Sequence, residues 1–170
     1  MDLPARQHGI MYDFSPAPGA AKPDIYRDLL SAADAITAGE PDGIANMANV
    51  AALMGEFLAD TNWVGFYRMV EGELVLGPFV GRPACIRIPL GVGVCGAAAQ
   101  SGETQLVEDV HAFPGHIACD ARSRSELVVP IMRDGQVLAV IDCDSPSLAR
   151  FDEEDRAGLE SLAELLSDRI

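Results

Sequence analysis

Apolar positions recur at helical spacing in the first part of the chain. Ile25, Leu29, Ala33 and Ile36 share one stripe over residues 24 to about 39, with Asp24, after Pro23, expected to cap the helix. Ile44, Met47, Ala51, Met54 and Leu58 form a second stripe over 42–58, set off by the turn sequence Gly-Glu-Pro-Asp-Gly. From residue 62 the period shortens to that of strands. Residues 62–70 and 73–79 flank Glu71-Gly72 and predict a β-hairpin. Residues 84–90 predict a third strand, a glycine-rich turn leads into a short helix over 94–101, and 104–108 predict another strand. Residues 110–125 lack a strong period and read as a long loop with room for a single helical turn, the kind of segment that often carries function. Strands over 126–133 and 136–144 flank Asp134-Gly135 as a second hairpin. An acid-capped amphipathic helix follows, with Leu159, Leu162, Leu165 and Leu166 on its buried side. The short turns imply a mainly antiparallel sheet. The predicted class is α+β, with the helices of both chain ends packed on one sheet face and the other face free to build a pocket.

Composition narrows this picture. At 170 residues the chain has the length of one domain. Residues 1–23, rich in Pro, Gly and Ala, read as a flexible N-terminal arm, and 24–170 as the domain. The hydrophobic share of 49% is enough to build a core. A net charge of −14 repels phosphate backbones and anionic lipid, so neither nucleic acid nor a membrane surface is expected as a partner. The start of the chain carries no export pattern, and a cytoplasmic protein is expected.

In a reducing compartment the four cysteines, Cys85, Cys95, Cys119 and Cys143, must be free, metal-bound or catalytic. They form no CxxC pair. Even with His111 and His116 nearby, their spacings match no common structural zinc pattern, so no metal is expected. Gly91-x-Gly93-x-x-Gly96 matches a dinucleotide-binding pattern, but that needs a parallel crossover, so it reads as a tight turn before a helix. Backbone N–H groups there offer an anion site, and Cys95 at the helix start is expected to have a lowered pKa. Strand alternation places Cys85 with Arg87, opposite an Ile86/Ile88 pair assigned to the core, so Cys85 is expected on the pocket side. The same alternation sends Cys143 to the core and puts Asp142 and Asp144 together on the other face, with Glu126 opening the neighbouring strand. Those carboxylates read either as strand-end turn residues or as a site for an ammonium group or a proton donor. Trp63, the only tryptophan, is either core or an aromatic pocket wall.

Several motifs together resemble one family. They are Asn62-Trp63-Val64-Gly65-Phe66-Tyr67, Pro83-Ala84-Cys85-Ile86-Arg87-Ile88-Pro89 and Gly93-Val94-Cys95-Gly96, then the run from Asp109 through His116 and Cys119 to Asp120, Ser125-Glu126, and Asp142-x-Asp144-Ser145-Pro146. Over residues 24–168 the chain is similar to the free methionine-(R)-sulfoxide reductases. The resemblance implies a GAF fold and reduction of the R epimer of free methionine sulfoxide by a cysteine thiolate. It implies a sulfenic acid on the enzyme, an intramolecular disulfide, and recycling by thioredoxin, fed by NADPH through thioredoxin reductase, with no bound cofactor. By motif position Cys119 is the nucleophile, Cys85 the principal resolving cysteine and Cys95 an auxiliary thiol, with Cys95 the alternative attacker. Glu126, Asp142 and Asp144 would hold the ammonium group and protonate the sulfoxide oxygen, Trp63 would pack on the side-chain carbons, and the glycine turn would take the carboxylate. Between the paired aspartates the family has an aliphatic residue where this chain has Cys143. A homodimer is expected. The alternative is a non-enzymatic GAF sensor for a small ligand or redox state. Against it, no effector domain follows the last helix.

Overall fold

The turns that shape the sheet lie where left-handed backbone is cheapest. Glu71 and Gly72 have φ of 52° and 87°, and Asp134 and Gly135 have 52° and 75°, the paired positive values of a two-residue hairpin. The computed structural model describes residues 14–116 and 120–170. Its helices are α1 (Lys22–Thr37), α2 (Gly43–Phe57), α3 (Gly93–Ser101) and α4 (Glu153–Leu166). Its strands are β1 (Trp63–Val70), β2 (Glu73–Gly81), β3 (Arg87–Ile88), β4 (Gln105–Val107), β5 (Ser125–Arg133) and β6 (Gln136–Ser145). The long loop contains one 3₁₀ turn, Val110–Ala112. The strands form a single sheet in the order β3-β2-β1-β6-β5-β4, and every pairing among them is antiparallel.

One sheet face is closed by α1, α2 and α4. Leu29, Val50, Met54, Leu159, Leu162 and Leu166 from these helices pack fully buried against Phe66, Ile131 and Ile141 of the sheet. Asp155, 1% exposed, ties the layer together: it accepts hydrogen bonds from Tyr26 Oη at 2.8 Å, Lys22 Nζ at 2.6 Å and Arg150 at 3.1 Å. Gly158 makes room for this clasp, because a Cβ there would sit 2.2 Å from the Tyr26 ring. The opposite face carries a smaller apolar cluster beneath α3, including Trp63, Tyr67, Leu74, Ile88, Val94 and Val128.

Four expectations change. The first helix begins at Lys22 with Ala21 at its cap, and Asp24 lies inside the first turn, paired with Arg27. Pro23 explains the earlier start, since a first-turn residue needs no donor. Phe14 packs against the helix-side core, so chain assigned to the arm already contributes to the fold; residues 1–13 lie outside the described residues. In α2 the stripe starts at Met47, because Ile44 is 45% exposed. The third strand is two residues long, bracketed by Pro83 and Pro89, which have no N–H for a ladder. With so short a strand the alternation argument fails. Ile86 is 72% exposed, and Ile88 is buried on the pocket side, not in the helix-side core.

Candidate active site

Alternation along β6 builds the floor of the site. Ala139, Ile141 and Cys143 enter the helix-side core, while Val140 belongs to the opposite cluster and Asp142 and Asp144 share its face. The pairing of β5 with β6 sets Glu126 opposite Asp144 and Val128 opposite Asp142. Helix α3 lies over these strands and brings Cys95 down onto them. The result is a small, partly open cleft. Glu126, Asp142, Asp144 and Cys95 line it, together with Ile88, the α3 start at Val92 to Val94, His116, Asp120 and Ser123.

The carboxylates are deeply buried for charged groups, Glu126 at 6% and Asp142 at 5% exposure. Burial pushes the Asp142 carboxyl up to about 6. Burial, with Asp142 and Asp144 close by, pushes Glu126 well above the carboxylate range. Asp144 is raised by burial and by Asp142. Asp142 Oδ1 is buried without a hydrogen-bond partner.

Cys95 overturns an expectation. Its thiol pKa is raised well above the usual value, first by burial and then by Asp142, Glu126 and Asp144. The partial charge at a helix start is outweighed by loss of water and three neighbouring carboxylates. Its Sγ stands 3.8 Å from Glu126 Oε1. Cys143 is fully buried in the helix-side core, as its parity requires. Both are free thiols. Cys85 is half-buried against the pocket-side cluster and is disulfide-bonded. Cys119 lies outside the described residues.

Trp63 lies on the same face but packs into the cluster beside the cleft and does not line it. It stacks on Phe79 at 5.1 Å and Tyr67 at 5.8 Å, and its Nε1 donates to the Arg82 carbonyl at 3.1 Å. The α3 start has no side-chain cap, and Gly91 and Gly93 adopt φ of 78° and 66° to form the turn before it. Gly96 lets that turn close, since a Cβ there would meet the Pro89 carbonyl at 2.5 Å.

Sequence reasoning gave no role to Asn62, Asp120 and Ser123. Asn62 Nδ2 donates to Asp120 Oδ2 at 3.2 Å and to Ser123 Oγ at 3.1 Å, which ties the loop after residue 119 to the start of β1. Arg122 holds the Asp120 carboxyl well below its ordinary value. The only signal in the sequence was that Asn62 and Asp120 fall inside the two motifs quoted above.

An antiparallel sheet with helices on one face and a small polar cleft on the other is the GAF architecture, and the family described as GAF domain matches residues 46–170. The free methionine-R-sulfoxide reductase of Escherichia coli is 49% identical over 83% of this chain and 86% of its own length. That of Saccharomyces cerevisiae is 42% identical over 86% of each. The Neisseria meningitidis free methionine-R-sulfoxide reductase, solved in complex with its substrate, superposes with a TM-score of 0.87 at 46% identity, covering 91% of this chain and 93% of that one. The chain belongs to the GAF-domain family and, within it, to the free methionine-R-sulfoxide reductases. No helix among the described residues is long and apolar enough to cross a membrane.

Proposed function

We propose that this protein reduces free L-methionine-(R)-sulfoxide to methionine in the cytoplasm with its own cysteines and no bound cofactor. The observation that carries the reading is the two-ended cleft. Glu126, Asp142 and Asp144 line one part of it, and the uncapped start of α3 lines another. A free amino acid needs both, an anionic place for its ammonium group and N–H groups for its carboxylate. A methionine sulfoxide within a peptide has neither charge and gains nothing from them.

In this reading Asp142 and Asp144 hold the ammonium group, and Glu126, whose protonated form is favoured by burial and by the neighbouring aspartates, donates to the sulfoxide oxygen. Trp63 backs the wall along the side-chain carbons. The Cys119 thiolate attacks the sulfoxide sulfur. Oxygen passes to the cysteine as a sulfenic acid, methionine leaves, and one thiol plus one sulfoxide have become one sulfenic acid plus one thioether. The Cys85 thiol then displaces water from the sulfenic acid to give a disulfide, and a dithiol of the thioredoxin type reduces it. Cys95 is a poor attacker, because the buried carboxylates that surround it oppose its thiolate. The protein acts as a homodimer.

The test is NADPH consumption with thioredoxin and thioredoxin reductase, offering the free R epimer, the free S epimer and an N-blocked sulfoxide. Turnover is expected with the free R form alone, and Cys119→Ser should lower it at least 1000-fold, about 4 kcal/mol of barrier. Intact thiols with no turnover on any of the three would overturn the reading. Sedimentation equilibrium tests the dimer.

A further inference from the structure

The acidic end of the cleft also has the donor set of a metal site. Cys95 Sγ, a Glu126 oxygen and an Asp142 oxygen all lie within 4.8 Å of one another, and all three residues are buried. The 3.8 Å between Cys95 Sγ and Glu126 Oε1 is near the roughly 3.5 Å that separates a thiolate and a carboxylate oxygen on one tetrahedral zinc ion. A second observation points to a ligand. Asp142 is 5% exposed, lines the cleft, and has an Oδ1 with no partner among the described residues. On the half-buried His116 of the same wall, Nδ1 is a further buried atom with no partner among the described residues. Buried polar atoms are nearly always satisfied, so two orphans at one cleft mark a place built for something that brings its own charge.

We propose that the reduced protein binds one thiophilic divalent cation of the zinc class through Cys95, Glu126 and Asp142, and that this cation and the substrate's ammonium group occupy the same place. A thiolate among carboxylates selects zinc-like ions over magnesium or calcium, which take oxygen ligands alone. Three protein donors leave the fourth tetrahedral position for water. The metal is an inhibitor here, since it holds the acids that the substrate needs. The competition with substrate rests on the activity proposed above; the metal binding does not.

Full-length protein, reduced and stripped of metal, is titrated with zinc chloride by calorimetry and against a chromogenic zinc chelator. One zinc per chain is expected. Cys95→Ser and Asp142→Asn should each weaken binding at least tenfold, with folding checked by circular dichroism. Cys143→Ala and the double variant Cys85→Ser/Cys119→Ser should bind as the parent does. Cobalt(II) gives an independent readout: a thiolate-to-metal charge-transfer band in the parent and none in Cys95→Ser. Free methionine-R-sulfoxide should displace the zinc. Absence of zinc binding overturns the site, as does binding that survives Cys95→Ser but is lost with Cys85 and Cys119. Zinc that the sulfoxide leaves in place overturns the shared position. None of these readouts needs turnover, so a failed metal site leaves the reductase reading standing, and an inactive protein that binds zinc leaves the site standing.

Discussion

Asp142 and Cys143 are neighbours on β6 and lie on opposite sides of the same sheet. On the helix side the interior is apolar and closed, and Cys143 sits in it as a small hydrophobe. On the cleft side three carboxylates and a second buried thiol, Cys95, crowd one small volume. Burial is the first cause of the raised pKa of both thiols, so neither is a ready nucleophile. The difference is what the burial serves. The helix side hides apolar area and supplies stability. The cleft side buries charge, which costs stability in the empty protein and is recovered only when a cation arrives.

The sharpest way to break this contrast is to damage the stable side. Leu162 is fully buried in the helix-side core, so Leu162→Ala should cost about 3–4 kcal/mol in denaturant unfolding, while kcat/KM per folded molecule stays unchanged. A loss of kcat/KM would mean that the two faces are not independent.

The next test turns the costly side into a gain. Asp142→Asn should stabilise the substrate-free protein at pH 7.5 by on the order of 1–3 kcal/mol while weakening substrate binding. The pH dependence follows from a carboxyl raised in the folded state from 3.8 to about 6. Folding then favours the protonated form. Its contribution to stability is complete below the unfolded value and is lost as pH rises through the folded one. The gap between variant and parent should therefore be absent below pH 3.8 and open between 3.8 and about 6. A gap that is equal at all pH values would show that the buried charge is not its source.

The smallest effect is expected at Cys143. Cys143→Val adds roughly one methyl group at a position that packs as a small hydrophobe. It should change stability by about 1 kcal/mol or less and leave turnover intact. A loss of turnover would make the fourth cysteine part of the chemistry.

The contrast was legible in the sequence wherever strands were long enough for alternation to hold. Ten residues of β6 suffice to separate Cys143 from Asp142 and Asp144, and the two hairpins announce themselves through Glu71-Gly72 and Asp134-Gly135. The same reasoning fails at Ile86 and Ile88, where the strand is two residues long and ends at Pro89. The thiol chemistry of Cys95 was misread for another reason. Its local sequence shows a helix start, but its electrostatics come from Glu126, Asp142 and Asp144 on strands that only the folded sheet brings beneath it. Trp63 was recognised as aromatic and near the site, yet its stacking partner Phe79 lies across the hairpin, and that contact decides where the ring goes. The Asn62 hydrogen bonds to Asp120 and Ser123 span 58 and 61 residues, beyond any local pattern.

The clasp at Asp155 has a consequence for how the molecule is made. Tyr26 and Asp155 are 129 residues apart in sequence and share one buried hydrogen bond, so α1, which packs on both α2 and α4, completes its packing only once α4 exists. During synthesis α1 waits for α4, and the helix-side layer closes only after α4 has left the ribosome. Until then the apolar faces of α1 and α2 stand open. A nascent chain of this protein is thus exposed to aggregation until α4 emerges, and the layer becomes protected in one late, cooperative event.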